Sequence, residues 1–379
     1  MKNKNAFKFN LRTYMMIIAL VSIWVIFTIL TGGSFLSPRN ISNLFRQSVF
    51  TSVLAIGMVL VIIMGHIDLS VGSVAGLTGG IVAILDVWQG YSPVVSISIT
   101  LLIGLIIGIW HGWWIAYKNV PSFIATLAGL LIFRGVLVGI TGGTTIGPMS
   151  DTFYFLGKGY LSNTAGFIIA AVLSVLVIYL IFKRRRKRKK YNFEVLTLKL
   201  EILRIAAFLI GLFGFVIILN LYRGFPVPLL ILTIMLLIFT FITNKTVFGR
   251  HIYAIGGNKN AAELSGIKIK RQTLMIFMIN GFMAALAGIF LSSRLNAASV
   301  AAGETAELDA IAACVIGGAS LAGGIGKVTG AVVGAIVMSS LDNGMSLLNV
   351  QSFWQSIIKG LILLIAVYVD MKSKKKNAI

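Results

Sequence analysis

Twelve apolar stretches divide this chain from end to end: Tyr14–Leu30, Ser48–Met64, Ser70–Val87, Val94–Ala116, Pro121–Ile140, Ala165–Phe182, Arg204–Leu221, Pro226–Thr243, Thr273–Leu291, Leu308–Leu321, Val328–Leu341 and Trp354–Val369. A helix crosses a bilayer in about 20 residues, because only a helix satisfies its own backbone in lipid. Apolar residues make up 58% of the 379 positions and charged ones 12%, and mean hydropathy is +0.95. What remains between the runs is too scattered for a folded soluble domain. The expected fold is all-α and polytopic, a single transmembrane domain with the lipid bilayer as its surroundings. Soluble α/β enzymes, disulfide scaffolds and disordered chains are excluded.

The net charge is +22. In a soluble chain that balance would raise nucleic-acid binding; here it reads as basic loops fixing topology, with no nucleic-acid partner. With the N-terminus inside, alternation puts 26 Lys and Arg on the cytoplasmic side and 5 outside, and 2 (Arg134 and Lys359) fall within spans. The basic start (Lys2, Lys4, Lys8, Arg12) leads into a run read as a retained first span, since Thr31-Gly-Gly-Ser34 is a poor cleavage site. Both termini, the Lys183–Lys190 block and the 244–272 loop are therefore expected in the cytoplasm.

The two runs around the basic block (about 165–221) read as an insertion. Without them, five spans precede and five follow, in core halves of about 13–141 and 226–370, and the second five begin in the opposite orientation. That is the arrangement of an inverted repeat, with ten core spans and a two-span insertion. Runs ten and eleven are short, so a broken or re-entrant pair is the alternative there.

No catalytic constellation is present, and no cofactor is implied. Gly323–Gly330 resembles a phosphate loop only in part, because Leu321 and Val328 stand where Gly and Ser or Thr would be needed. The candidates for function are breaks and polar groups in apolar surroundings. Asp68 and Ser70 interrupt runs two and three, either as a polar gate or as a cap of the third helix. Arg134 lies mid-span and needs a partner. Glu307 and Asp309, with Glu304, open run ten, as a polar mouth or as favourable charges at a helix start. Trp110, Trp113 and Trp114, at the cytoplasmic end of run four, read as an interfacial aromatic belt, with sugar stacking as the alternative.

The longest loop, 244–272, is the most informative. Gly256-Gly257 predicts a turn, Asn258 a cap, Lys259–Ser265 two helical turns, and Gly266 a left-handed end. Such a helix, with small Ala261, Ala262 and Ser265, fits a partner's groove; a solvated connector is the alternative.

Gly65-His-Ile-Asp-Leu-Ser-Val-Gly-Ser73, Gly249-Arg-His-Ile-Tyr-Ala-Ile-Gly-Gly-Asn258, Ala261-Ala-Glu-Leu-Ser-Gly-Ile267 and Glu307-Leu-Asp-Ala-Ile-Ala-Ala-Cys-Val-Ile-Gly-Gly318 occur in this order, with Ser320-Leu-Ala-Gly-Gly324 and Asp342-Asn-Gly-Met345. The chain resembles, from about Phe35 to Lys374, the permeases of ABC importers of the monosaccharide branch (ribose, arabinose and xylose systems). Gly112-Trp-Trp-Ile-Ala-Tyr117, Pro121-Ser-Phe-Ile-Ala-Thr-Leu-Ala-Gly129 and the two-span insertion resemble the branch's xylose systems most. The resemblance implies import of a monosaccharide, D-xylose first, by a non-catalytic subunit. It also implies a cytoplasmic ATPase, an extracytoplasmic sugar-binding protein and a second copy of the chain as partners. The 244–272 loop is then the coupling loop, with Gly257, Asn258, Ala261, Ala262, Glu263, Ser265 and Gly266 facing the ATPase. Asp68, Ser70, Arg134, Glu307, Asp309 and Asn343 are candidates for the path or gate. An ion-coupled secondary sugar transporter is the competing class; it needs no coupling loop and should carry its acids within the spans.

Overall fold

The computed structural model describes residues 11–377 except Glu194 and Leu196. Lys2, Lys4 and Lys8, which entered the topology expectation, lie outside the described residues, as do the side chains of Lys374, Lys375 and Lys376.

The helices in chain order are α1 (Leu11–Leu30), α2 (Pro38–Ile63), α3 (Val71–Ala83), α4 (Pro93–Ala116), α5 (Ser122–Thr141), α6 (Asp151–Lys158), α7 (Asn163–Lys190) and α8 (Leu198–Asn220). They continue as α9 (Val227–Lys245), α10 (Val247–Gly257), α11 (Lys259–Leu264), α12 (Ile269–Leu295), α13 (Ala306–Ile316), α14 (Val328–Leu347) and α15 (Ser352–Asn377). A π turn at Ile84–Trp88 prolongs α3. Their starts carry the expected chemistry: Ser37, Ser162, Thr246 and Asn258 each accept a hydrogen bond from a backbone N–H of their helix's first turn.

Among the described residues, ten helices are long and apolar enough to cross a membrane: α2, α3 with its π turn, α4, α5, α7, α8, α9, α12, α14 and α15. The first and tenth apolar runs are not among these ten. The described apolar part of α1 runs only from Met16 to Leu30, and α13 has 11 residues. Eleven residues rise about 17 Å, roughly half of a bilayer core. Run ten reads as a span because Gly317–Leu321 follows α13 without being helical with it. Gly317 and Gly318 end α13 there, Gly318 at φ +85°.

The core lies between α2, α3, α12 and α14, whose apolar windows are 67–78% buried, while α4, α5, α7, α8 and α15 are mostly outward-facing. Contact between them is backbone-close. A methyl group on Gly108 of α4 would lie 2.3 Å from Phe277 O of α12. Small residues permit that approach where lipid supplies no hydrophobic drive between helices. The pairings are reciprocal: α2 packs against α13 and α14, and α12 packs against α3 and α4.

The inserted hairpin stands at the side. A two-stranded pair, β1 (Tyr160–Leu161) with β2 (Phe225–Pro226), closes its base, so α7 and α9 leave from one end of the molecule. The basic block Lys183–Lys190 continues α7 without interruption.

Candidate translocation site and coupling surface

Two interrupted helices meet in the interior. After α2 ends at Ile63, residues 64–70 form a non-helical return before α3; after α12 ends at Leu295, residues 296–305 do the same before α13. The first turns of α3 and α13 then abut. A methyl group on Gly72 would fall 2.4 Å from Gly303 O and 2.2 Å from Glu307 Oε2. Only glycine at 72 allows this approach. The two helices run away from the junction in opposite senses, because α3 pairs Gly79 with Ser292 of outgoing α12 while α13 leads to Gly317, against Gly330 at the start of α14. Two positive helix ends thus point at one buried region that holds the Glu307 carboxylate.

Asp68 sits in the first return, 3% exposed. Its Oδ1 accepts from Ser70 N at 2.8 Å and from Ser70 Oγ at 2.6 Å, and its Oδ2 accepts from Asn280 Nδ2 at 2.8 Å. Both Ser70 contacts fall before the first residue of α3, so they close a turn rather than cap the helix, and the Asn280 contact ties the break to the middle of α12. Thr126 Oγ1 of α5 accepts from Leu69 N at 3.0 Å, so a neighbouring helix satisfies part of the non-helical backbone. Arg134 does the corresponding work for the second return: its guanidinium donates to the carbonyls of Val300 and Ala302.

Beside that second return lies a cavity of about 260 Å³, lined by Gln47 and Thr51 of α2, Arg294 of α12, Glu304, Asp309, and Ser339 and Asp342 of α14. Asp309 also borders a second cavity of about 250 Å³ with Gln355, Ser356 and Lys359 of α15. Lys359 Nζ lies 2.9 Å from Asp309 Oδ2 and 3.0 Å from Asp342 Oδ1, so one cation joins α13, α14 and α15. Carboxylates, an amide and hydroxyls around so small a space suit a polyhydroxylated ligand, which needs many donors and acceptors at short range.

The candidate coupling surface is built on the 244–272 loop. α10 and α11 are joined at Asn258, whose Oδ1 accepts from Ala261 N at 3.0 Å, and Gly266 ends the segment at φ +82°. Gly256 and Gly257 do not make the expected turn; they are the last residues of α10. A Cβ at Gly256 would overlap Ile63 O, the end of α2. Gly324 N donates to that same Ile63 O at 2.8 Å, and Tyr253 Oη donates to Gly326 O at 2.7 Å. Burial raises the Tyr253 phenol above its ordinary value, which keeps it a donor. So α10 rests on the α2–α3 return and on the α13–α14 connection at once.

Of the expected coupling residues, Gly257, Asn258, Ala261, Glu263, Ser265 and Gly266 are exposed, but Ala262 is only 4% exposed and faces inward. Leu264, which the sequence reading passed over, is 90% exposed at the tip. A large apolar side chain held out on a six-residue helix was a legible signal. Asn343 does not line the cavity. It exchanges two hydrogen bonds with Asn40, at 2.8 and 3.1 Å, fastening α14 to the start of α2. Asn280 and Asp342 were missed because each gains its meaning only from a partner far away in sequence.

Broken helices meeting in a lipid-embedded core, with a polar cavity beside them and a loop bearing on one of the breaks, define a multi-pass membrane transport protein. The chain belongs to the family described as branched-chain amino acid transport system / permease component, which matches residues 40–367. It is 53% identical to the xylose transport system permease protein of Haemophilus influenzae over 97% of this chain and 98% of that one. To the protein of the same description from Escherichia coli K12 it is 51% identical, over 97% and 94%. To the ribose import permease protein of Bacillus subtilis it is 36% identical, over 92% and 90%. No solved structure matches the chain.

Proposed function

We propose that this permease is the membrane subunit of a binding-protein-dependent ABC importer that carries a monosaccharide, D-xylose first, into the cell. The observation that carries this reading is end-to-end likeness to the xylose permeases, 53% identical over 97% of the chain. The insertion α7–α8 lies within that matched length. ATP is hydrolysed on a separate ATPase chain, which sits under α10–α11 and receives Leu264 in a groove. A sugar-binding protein delivers cargo to the opposite face.

In this mechanism the loop is a lever. Because α10 bears on Ile63 and on residues 324–326, a displacement imposed by the ATPase reaches the α2–α3 break and the far end of α13 together. The paired starts of α3 and α13 then separate or close, and the polar cavity beside Asp309 changes its access. Packed interfaces of this kind switch between discrete arrangements rather than deform smoothly. The reciprocal packing of α2–α5 and α12–α15 supports two inverted core halves, and the outward face of α15 supports a homodimer. The excess of Lys and Arg on that side supports a cytoplasmic N-terminus, basic block, coupling loop and C-terminus.

A second reading, ion-coupled sugar transport, draws on the buried group of Asp309, Asp342 and Lys359. Uptake of labelled pentoses by cells with and without this chain, both partners present, separates the readings. Xylose uptake should vanish without the chain and survive an ionophore that collapses ion gradients while ATP is maintained. Loss of uptake on adding the ionophore would move the assignment to the ion-coupled class.

A further inference from the structure

The eight consecutive cations of Lys183–Lys190 have no role in the transport reading, and their placement is specific. Residues 163–182 of α7 rise about 30 Å, the thickness of a bilayer core. The block continues the same rigid helix by about 12 Å, so it begins at headgroup depth and ends within about a Debye length of the surface. Arg184, Arg186, Lys187, Lys189 and Lys190 are exposed. Arg185 is held by Glu201 of α8, which fixes the block beside its hairpin partner, and Lys183 Nζ lies 3.4 Å from Tyr179 Oη.

The surroundings point to lipid. The hairpin packs by its α8 side on α2, and only 17% of the apolar window of α7 is buried inside the protein. The strand pair at its base sets α7 off in the same direction as α9, so the block emerges at the face that carries the coupling loop. Eight cations within 12 Å repel one another, and the helix's negative end relieves only the last turn. A helix surrounded by hydrocarbon up to its first cation has headgroups as its nearest neighbours.

We infer that the Lys183–Lys190 extension of α7 is a binding site for anionic phospholipid headgroups. Cations that follow a membrane helix directly gather anionic lipid at the surface, and the effect is additive per residue and weakened by salt. The site tethers the hairpin as an outrigger of the bundle.

The test uses the full chain reconstituted in phosphatidylcholine containing a minor fraction of spin-labelled phosphatidylglycerol. The ratio of motionally restricted phosphatidylglycerol to restricted spin-labelled phosphatidylcholine is read by electron spin resonance. Replacing Arg184, Arg186, Lys187, Lys189 and Lys190 together by Gln should lower the preference for phosphatidylglycerol by about fivefold or more, while exchanging Lys for Arg and Arg for Lys at those positions should keep it. Should the Gln variant fail to insert, the unaltered chain decides: its preference must fall steeply between about 0.05 and 0.5 M salt. An unchanged preference in the inserted Gln variant, or a flat salt response, overturns the inference. Unchanged lipid preference with lost retention of the ATPase would make the block a protein-docking surface, and overturns it equally.

Discussion

Glu307 occupies the space that any side chain at Gly72 would need: a methyl group there would lie 2.2 Å from its Oε2 and 2.4 Å from Gly303 O. This contact joins the two interrupted helices where both begin. Gly72→Ala should force them apart at a cost of about 1–3 kcal/mol, the usual range for overpacking. The variant should reach the membrane in near-normal amount but lose most uptake, and its melting midpoint in detergent should fall. Uptake at the unaltered level would show that α3 and α13 need not touch.

Asp68 accepts three hydrogen bonds, two from Ser70 and one from Asn280. In Asp68→Asn the new amide faces the Asn280 amide if the Ser70 contacts are kept, donor against donor. Such a mispairing with a buried, formerly charged acceptor costs about 1.5–3 kcal/mol. Uptake should fall more than protein amount. Adding Asn280→Asp restores a donor facing an acceptor and should recover part of both. A double variant worse than either single one would refute the bracket between α3 and α12.

Leu264 and Ala262 separate docking from folding. Leu264→Asp puts a charge on a tip that is 90% exposed and touches little of its own chain. Retention of the ATPase in membranes and sugar-stimulated ATP hydrolysis should fall together by an order of magnitude, with thermal stability unchanged. Ala262→Trp, by contrast, has no room at a position 4% exposed, and should lower the melting midpoint first.

His66, in the return after α2, titrates at about 4 instead of 6.5, chiefly because burial disfavours the imidazolium and secondly because Lys259 repels it. Its ring meets the edge of Phe277 with centroids 5.9 Å apart. The folded chain therefore binds fewer protons here than the unfolded one. The penalty is absent above about pH 6.5, grows as pH falls and levels off below about pH 4, where it amounts to about 3 kcal/mol. Between pH 7 and 4.5 the melting midpoint of His66→Gln should fall less than that of the unaltered chain. Equal losses would place the acid sensitivity elsewhere.

Much of this arrangement was legible in the sequence. Apolar runs gave most spans, because lipid forces helices, and Asn258 and Gly266 announced the bounds of α11 through capping and left-handed backbone. Residues 308–321 misled, since hydropathy does not distinguish a helix from an apolar backbone that leaves it at Gly317. Asp68 had two readings, gate or cap. Its turn contacts with Ser70 are local and foreseeable, though they cap no helix, whereas the Asn280 contact spans 212 residues and has no local signature. Ala262 was assigned to the partner by size alone; which face of a two-turn helix looks inward depends on what lies beneath it.

The account stands on ATP-driven movement of a pentose through this chain. The most direct measurement is accumulation of labelled D-xylose in proteoliposomes that contain the permease and its ATPase, with the binding protein supplied on the opposite side. The account predicts accumulation above the outside concentration when ATP is present, none when the ATPase is omitted, and about tenfold slower accumulation with ATP when Leu264→Asp replaces the unaltered chain. Accumulation driven by an ion gradient in the absence of the ATPase would contradict it.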